Sequence, residues 1–303
     1  MEEKFEPCGV LLIDKPAGMT SHDVVGKVRR LYQTRKVGHT GTLDPMATGV
    51  LVILIGRAAK AAEYLSVHSK TYEAVMRLGL TTDTEDTTGQ TLTACAEVPC
   101  AEQVIEKANA FVGEILQVPP MYSALKVNGQ KLVDLARKGI EVERVARPIT
   151  VHSLHCTHLE NNDYTLRVHC SSGTYIRTLC ADIGKALGCG GAMAALRRTE
   201  TGGFTLAECI TPTALEELSG EERLSRLIPT EALFADLPAV KLPAFYEKLC
   251  RNGCEIYQKK LNTEHPVGTR VRICNATGDF IALGEVRDYE NGSAIKGIKY
   301  FDI

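Results

Sequence analysis

Between Gly38 and Ile55 a glycine-rich loop carrying a single acid runs straight into an apolar strand. The stretch Gly38-His39-Thr40-Gly41-Thr42-Leu43-Asp44-Pro45-Met46-Ala47-Thr48-Gly49-Val50-Leu51 holds one acid, three glycines, one proline and three threonines. Val50 to Ile55 is a run of β-branched residues and leucine, the pattern of a buried strand. Any fold of this chain must bury that strand and present Asp44 at its entrance. Glycines at 38, 41 and 49 permit backbone angles or close approaches that other residues resist. Pro45 fixes the backbone directly after the acid. A loop of this kind can hold a carboxylate still and leave room for a flat ligand beside it. The same residues also fit an ordinary turn, because aspartate before proline commonly bonds nearby N–H groups.

The 303 residues suffice for a large domain and a small one. With 44% hydrophobic and 24% charged residues the composition is that of a globular protein. No apolar run approaches the roughly 20 residues that span a bilayer. The acidic start, Met1-Glu2-Glu3-Lys4-Phe5-Glu6-Pro7, lacks a signal-peptide core, so a cytoplasmic location is expected. The 11 cysteines form no C-x-x-C and read as reduced thiols. Cys250 and Cys254 could flank one helix face, but no second matching pair accompanies them. His152, His155 and His158 resemble a ligand set, yet in an alternating strand His155 faces away from the other two. No metal and no cofactor are therefore expected. The formal charge is −2, so a nucleic-acid partner would need local basic patches. Candidates are Arg29, Arg30, Arg35 and Lys36; Lys126, Lys131, Arg137 and Lys138; and Arg197 with Arg198. Each could instead be a solvated face.

Along the chain, Gly9 to Asp14 reads as a buried strand, and Thr20 or Ser21 caps a helix running to about Tyr32, with Asp23 in its first turn. Residues 57–66 have helical character. From Lys70 the chain alternates, placing Tyr72, Ala74, Met76, Leu78 and Leu80 on one face; core burial is an equal reading for Tyr72. A polar turn spans Thr81 to Gly89, and Ala101 to Ala110 is an amphipathic helix. Pro119 opens a basic excursion with a short helix over Lys131–Lys138, ended by Gly139. Ile149–Glu160 and Tyr164–Ser171 form a hairpin through Asn161-Asn162-Asp163. A strand-to-helix junction follows at Ser172–Leu179, where Thr174 can cap the helix to about Leu187. Arg177 in the first turn opposes the helix dipole, which suggests a fixed carboxylate partner. After about Leu237, short strands with Gly, Asn and Asp turns suggest a small barrel-like domain.

These residues carry a family resemblance. His39-x-Gly41-Thr42-Leu43-Asp44-Pro45-x-Ala47-x-Gly49-x-Leu51 resembles the catalytic motif of the TruB family of tRNA pseudouridine synthases. Lys15-Pro16-x-Gly18-x-Thr20-Ser21 resembles its N-terminal motif, which supports the catalytic loop. Thr82 to Gly89, Pro120-x-Tyr122-Ser123-Ala124-x-Lys126, Gly173 to Arg177 and Leu196 to Thr199 resemble further family motifs. The resemblance implies an α+β fold: a mixed, mainly antiparallel sheet flanked by helices in a catalytic domain over 1–236. An insertion at about 119–148 would grip the T arm of tRNA, and 237–303 would be a PUA-type RNA-binding domain. It implies isomerisation of uridine 55 to pseudouridine without metal or cofactor, by a monomer with no protein partner. The implied catalytic set is Asp44, Tyr72 and Arg177. The implied substrate contacts are His39, Tyr72, Tyr175, Leu196, Lys15 and Lys126. Two other expectations remain open: a guide-RNA-dependent rRNA synthase of the dyskerin type, and a non-catalytic RNA-binding protein.

Overall fold

The computed structural model describes residues 6–65 and 69–301. In chain order the first elements are β1 (Gly9–Lys15), α1 (Ser21–Leu31), β2 (Val37–His39) and β3 (Thr48–Ile55). A tight 3-10 turn over Gly56–Ala61 leads into α2 (Ala62–Leu65); the last residue of the expected helix, Ser66, lies outside the described residues. Next come β4 (Lys70–Leu78), the small hairpin β5 (Leu80–Thr82) and β6 (Thr91–Ala94), α3 (Ala101–Asn109) and β7 (Gly113–Gln117). A second small hairpin, β8 (Lys126–Val127) and β9 (Gln130–Lys131), precedes α4 (Leu132–Ala136). The long hairpin β10 (Arg147–Glu160) and β11 (Asp163–Cys170) leads to α5 (Ile176–Ala186), β12 (Gly191–Thr201) and β13 (Phe204–Thr205). The helices α6 (Pro212–Glu217) and α7 (Gly220–Ser225) follow. Beyond them lie β14 (Ala239–Lys241), α8 (Ala244–Arg251), β15 (Ile256–Tyr257), α9 (Gln258–Leu261), β16 (Arg270–Cys274), β17 (Phe280–Arg287) and β18 (Ala294–Tyr300).

The main sheet has nine strands, with the path β1-β3-β12-β4-β11-β10-β7; β2 pairs with β3 and β13 with β12. Its pairs are antiparallel except β3 with β12. That exception is where Arg198 of β12 lies beside Gly49 of β3. Gly49 has φ +105°, and a Cβ there would stand 2.1 Å from the Arg198 carbonyl oxygen. Glycine is what lets these two backbones meet.

β3 is buried on both faces, as its unbroken apolar run requires. Leu51, Ile53 and Ile55 join the core beneath α1, α3 and α5. Val50, Val52 and Leu54 join a second core with Val10, Leu12, Phe234, Leu283 and Phe301. The five-stranded C-terminal sheet, in the order β14-β16-β17-β18-β15, therefore closes the far face of the main sheet. Burying apolar area on both sides of one strand makes it the rigid reference for whatever its ends carry.

Local signals account for most boundaries. The α1 cap is a full capping box: the Asp23 N–H donates to Thr20 Oγ1 (3.1 Å) and the Thr20 N–H to Asp23 Oδ2 (2.8 Å). The β10–β11 hairpin turns at Asn161, which adopts φ +50°. Two expectations are corrected. The alternating strand ends at Leu78, because Gly79 at φ +88° breaks it and sends Leu80 into a separate hairpin. Thr174 does not cap α5: its hydroxyl donates to Ser171 O, and Tyr175 stands at the cap position without a side-chain cap bond.

Candidate active site

Asp44 sits where the loop before β3 meets the first turn of α5. Arg177 Nε lies 2.9 Å from Asp44 Oδ2, and Arg177 Nη2 donates to Asp44 Oδ1 at 3.2 Å. This two-point contact matches the planar fork of the guanidinium to the carboxylate plane. Arg177 is only 5% exposed, whereas the Asp44 side chain is 33% exposed. The guanidinium also reaches two carbonyls: Nη1 donates to Thr84 O (3.0 Å) and Nη2 to Tyr122 O (2.7 Å). Asp86, buried on the polar turn, lies 4.0 Å from Nε. The dipole penalty read from Arg177 is thus answered by two acids and two carbonyls.

The loop is clamped from behind. Ser21 Oγ accepts from Leu43 N–H (2.9 Å) and donates to Leu43 O (3.1 Å). Gly18 N–H donates to Pro45 O at 2.9 Å. Lys15 is fully buried, and its ammonium donates to Pro16 O, Met19 O and Pro45 O. Burial pulls its pKa down to about 8, with Asp44 the main opposing charge. Lys15 therefore braces the loop from inside the protein and presents no surface to a ligand.

Two phenols flank this centre. Tyr72, on β4, is 7% exposed, and Tyr175 is partly buried. Burial pushes both upward in pKa; Arg198 opposes this most at Tyr72, and both phenols feel the charge of Asp44. Leu196 shares the buried face of β12 beside Ala74 of β4. His39 lies edge-on to His22 at 5.9 Å, with Nδ1 buried and without a hydrogen-bond partner among the described residues. Its pKa is lowered, chiefly by burial and then by His22 and Arg198.

Residues 29–176 match the model of the TruB family pseudouridylate synthase N-terminal domain. Residues 177–235 match that of the tRNA pseudouridylate synthase B C-terminal domain. A protein of Dechloromonas aromatica named tRNA pseudouridine synthase B is 53% identical over 81% of this chain and 82% of its own length. One of the same name from Clostridium kluyveri is 45% identical over 93% of this chain and 96% of its own length. The chain belongs to the TruB pseudouridylate synthase family. Among solved structures, a chain of a Cbf5-Nop10-Gar1 complex superimposes with a TM-score of 0.74 at 28% identity, covering 97% of this chain and 84% of that one. A chain of an H/ACA RNP bound to a substrate RNA containing 2'-deoxyuridine does so with a TM-score of 0.72 at 25% identity, covering 97% and 85%.

The basic patches divide. Lys126, Lys131, Arg137 and Lys138 are exposed and make no ion pair among the described residues. In the first patch, Arg30 pairs with Glu216 and Lys36 with Glu6, which leaves it partly neutralised. The third patch is corrected: Arg197 pairs with Asp14 at 2.7 Å, and Arg198 is 1% exposed. Strand alternation from Leu196 would have placed Arg198 on the inner face. Ser21 supports the loop as its motif implies, whereas Asp86 and Gln117 are supports that the sequence did not single out. Gln117, buried at the end of β7, accepts from the Tyr175 N–H (2.8 Å) and donates to the Tyr175 carbonyl (3.0 Å), fixing the start of α5.

Proposed function

We propose that this chain converts uridine 55 in the T arm of tRNA to pseudouridine, with Asp44 as the essential group. The observation that carries the reading is the two-point Asp44–Arg177 pair: an ionised carboxylate, held rigid, still partly open to a ligand. The reaction cleaves N1–C1′, turns the uracil and rejoins it through C5. A carboxylate can serve it as nucleophile or base. Tyr72 and Tyr175 orient the uracil, and Tyr72 receives the C5 proton. Reaching the bond requires swinging the uridine out of its stack, at a cost of a few kcal/mol. Stacking on aromatic rings returns about 1–3 kcal/mol per base. His39 and Leu196 line the space entered by the nucleoside.

The exposed cations of the 119–148 insertion, Lys126 among them, supply the grip on T-arm phosphates. Residues 237–303 form a PUA-like RNA-binding unit, and the enzyme works as a monomer in the cytoplasm. No described helix is long and apolar enough to cross a membrane. The test is to incubate the protein with unmodified tRNA transcript and map pseudouridine. One modified position, at 55, is expected; it is lost in Asp44→Asn while tRNA binding persists. Modification by Asp44→Asn, or at another site, overturns the reading.

A further inference from the structure

We propose that Arg198 is the charge partner of Tyr72, a guanidinium fixed beside the phenol that allows its oxygen to take the uracil C5 proton. The inference rests on the functional reading above and deepens it. Tyr72 and Arg198 are directly opposed in the antiparallel β4–β12 register, so their side chains share one face. The guanidinium cannot wander: Nε donates to Val50 O at 2.8 Å and Nη2 to Gly41 O at 3.1 Å.

What stands out is the missing counter-charge. Arg177, the other deeply buried arginine, has Asp44 and Asp86 at hand. Arg198 is more buried, yet makes no ion pair among the described residues. A buried cation without an anion is costly, and a fold keeps one where negative charge appears transiently. Its neighbours are basic too. Lys15, Lys70 and His39 are each pulled down first by burial, and Arg198 adds to each. Burial is the strongest influence on the phenol and raises its pKa; Cys170 and Asp44 add to that, and Arg198 is the group that opposes it.

In the last step, C5 carries both its hydrogen and the new bond to C1′. Tyr72 enters the step as a phenolate, its own proton having passed to water; the C5–H bond breaks and that proton re-forms the phenol. The electron pair forms C5=C6, the N1=C6 π pair moves onto N1, and N1 takes a proton from water, which balances the one the phenol gave up. Arg198 acts only through Tyr72 and is a positioning residue.

The test uses tRNA transcripts carrying hydrogen or deuterium at uracil C5 in single-turnover reactions. Arg198→Met is expected to slow the reaction about a hundredfold, within the usual range for a proton-transfer partner. The deuterium isotope effect should rise above that of the wild type, because the C5 step becomes limiting. Tyr72→Phe should behave alike, and the double variant should lose little more than either alone. Binding of tRNA should stay within twofold, since Arg198 offers no surface. Arg198→Lys, which keeps a charge but not the fork, should show the same isotope pattern at smaller amplitude and covers the case that Arg198→Met fails to fold. A slower rate with an unchanged isotope effect, losses that multiply in the double variant, or a defect confined to binding would each overturn the assignment. A wild-type protein that modifies no uridine would instead overturn the functional reading beneath it.

Discussion

At Arg177 the demand is geometric as well as electrostatic. Two nitrogens meet two carboxylate oxygens while the same side chain reaches the carbonyls of Thr84 and Tyr122. An ammonium cannot reproduce this fork, so Arg177→Lys is expected to lower kcat about a hundredfold, the usual cost of a misplaced reacting group, with little change in tRNA affinity. Rapid-quench turnover and filter binding check both halves. Lys15 gives a prediction in pH. Its folded pKa of about 8 lies below the ordinary lysine value of 10.5. Between those values the unfolded chain still holds a proton that the folded chain has released, so this group makes stability rise with pH across the window. Denaturant titrations of wild type and Lys15→Met from pH 7.5 to 10.5 should differ by that rise, which the variant lacks. The carboxylate partner of Arg177 was legible, because a cation in the first turn of a helix calls for one. The burial of Lys15 and Arg198 was not, since a cation in sequence gives no sign of the carbonyls that will receive it.

Among the elements, β3 sets the others. The parallel contact of Gly49 with Arg198 leaves no room for a methyl group. Gly49→Ala combines a Cβ 2.1 Å from the Arg198 carbonyl oxygen with a left-handed backbone. It should destabilise the protein by at least about 3 kcal/mol, measured as a lowered urea midpoint. α1 was fully legible because its capping box is local, with both partners within four positions. The start of α5 was misread by one residue because its true anchor, Gln117, is 58 positions away. Local chemistry predicts local structure, and the supports of a site built from distant stretches of chain are not local.

For the molecule as a whole, the C-terminal sheet is part of the core as well as an appendage. Phe301 lies 5.4 Å from Phe280 and 5.6 Å from Phe234, in the cluster that backs β1 and β3. Phe301→Ala is expected to cost about 3 kcal/mol in equilibrium unfolding while leaving turnover near the wild-type value at 25 °C. Short runs bounded by Gly, Asn and Asp turns made strands legible there, but nothing local announces that the sheet lies against the back of β3.

The bond from Arg177 to the carbonyl of Tyr122 reaches one step further. That acceptor belongs to the backbone of the inserted segment, so substituting the Tyr122 side chain leaves it in place, and side-chain scanning will pass over it. A shortened protein made by trimming residues 119–148 would lose a ligand of the central guanidinium along with the exposed cations of that segment. Such a truncation would confound turnover with capture, and only charge-neutralising changes at the insertion's tip can separate the two.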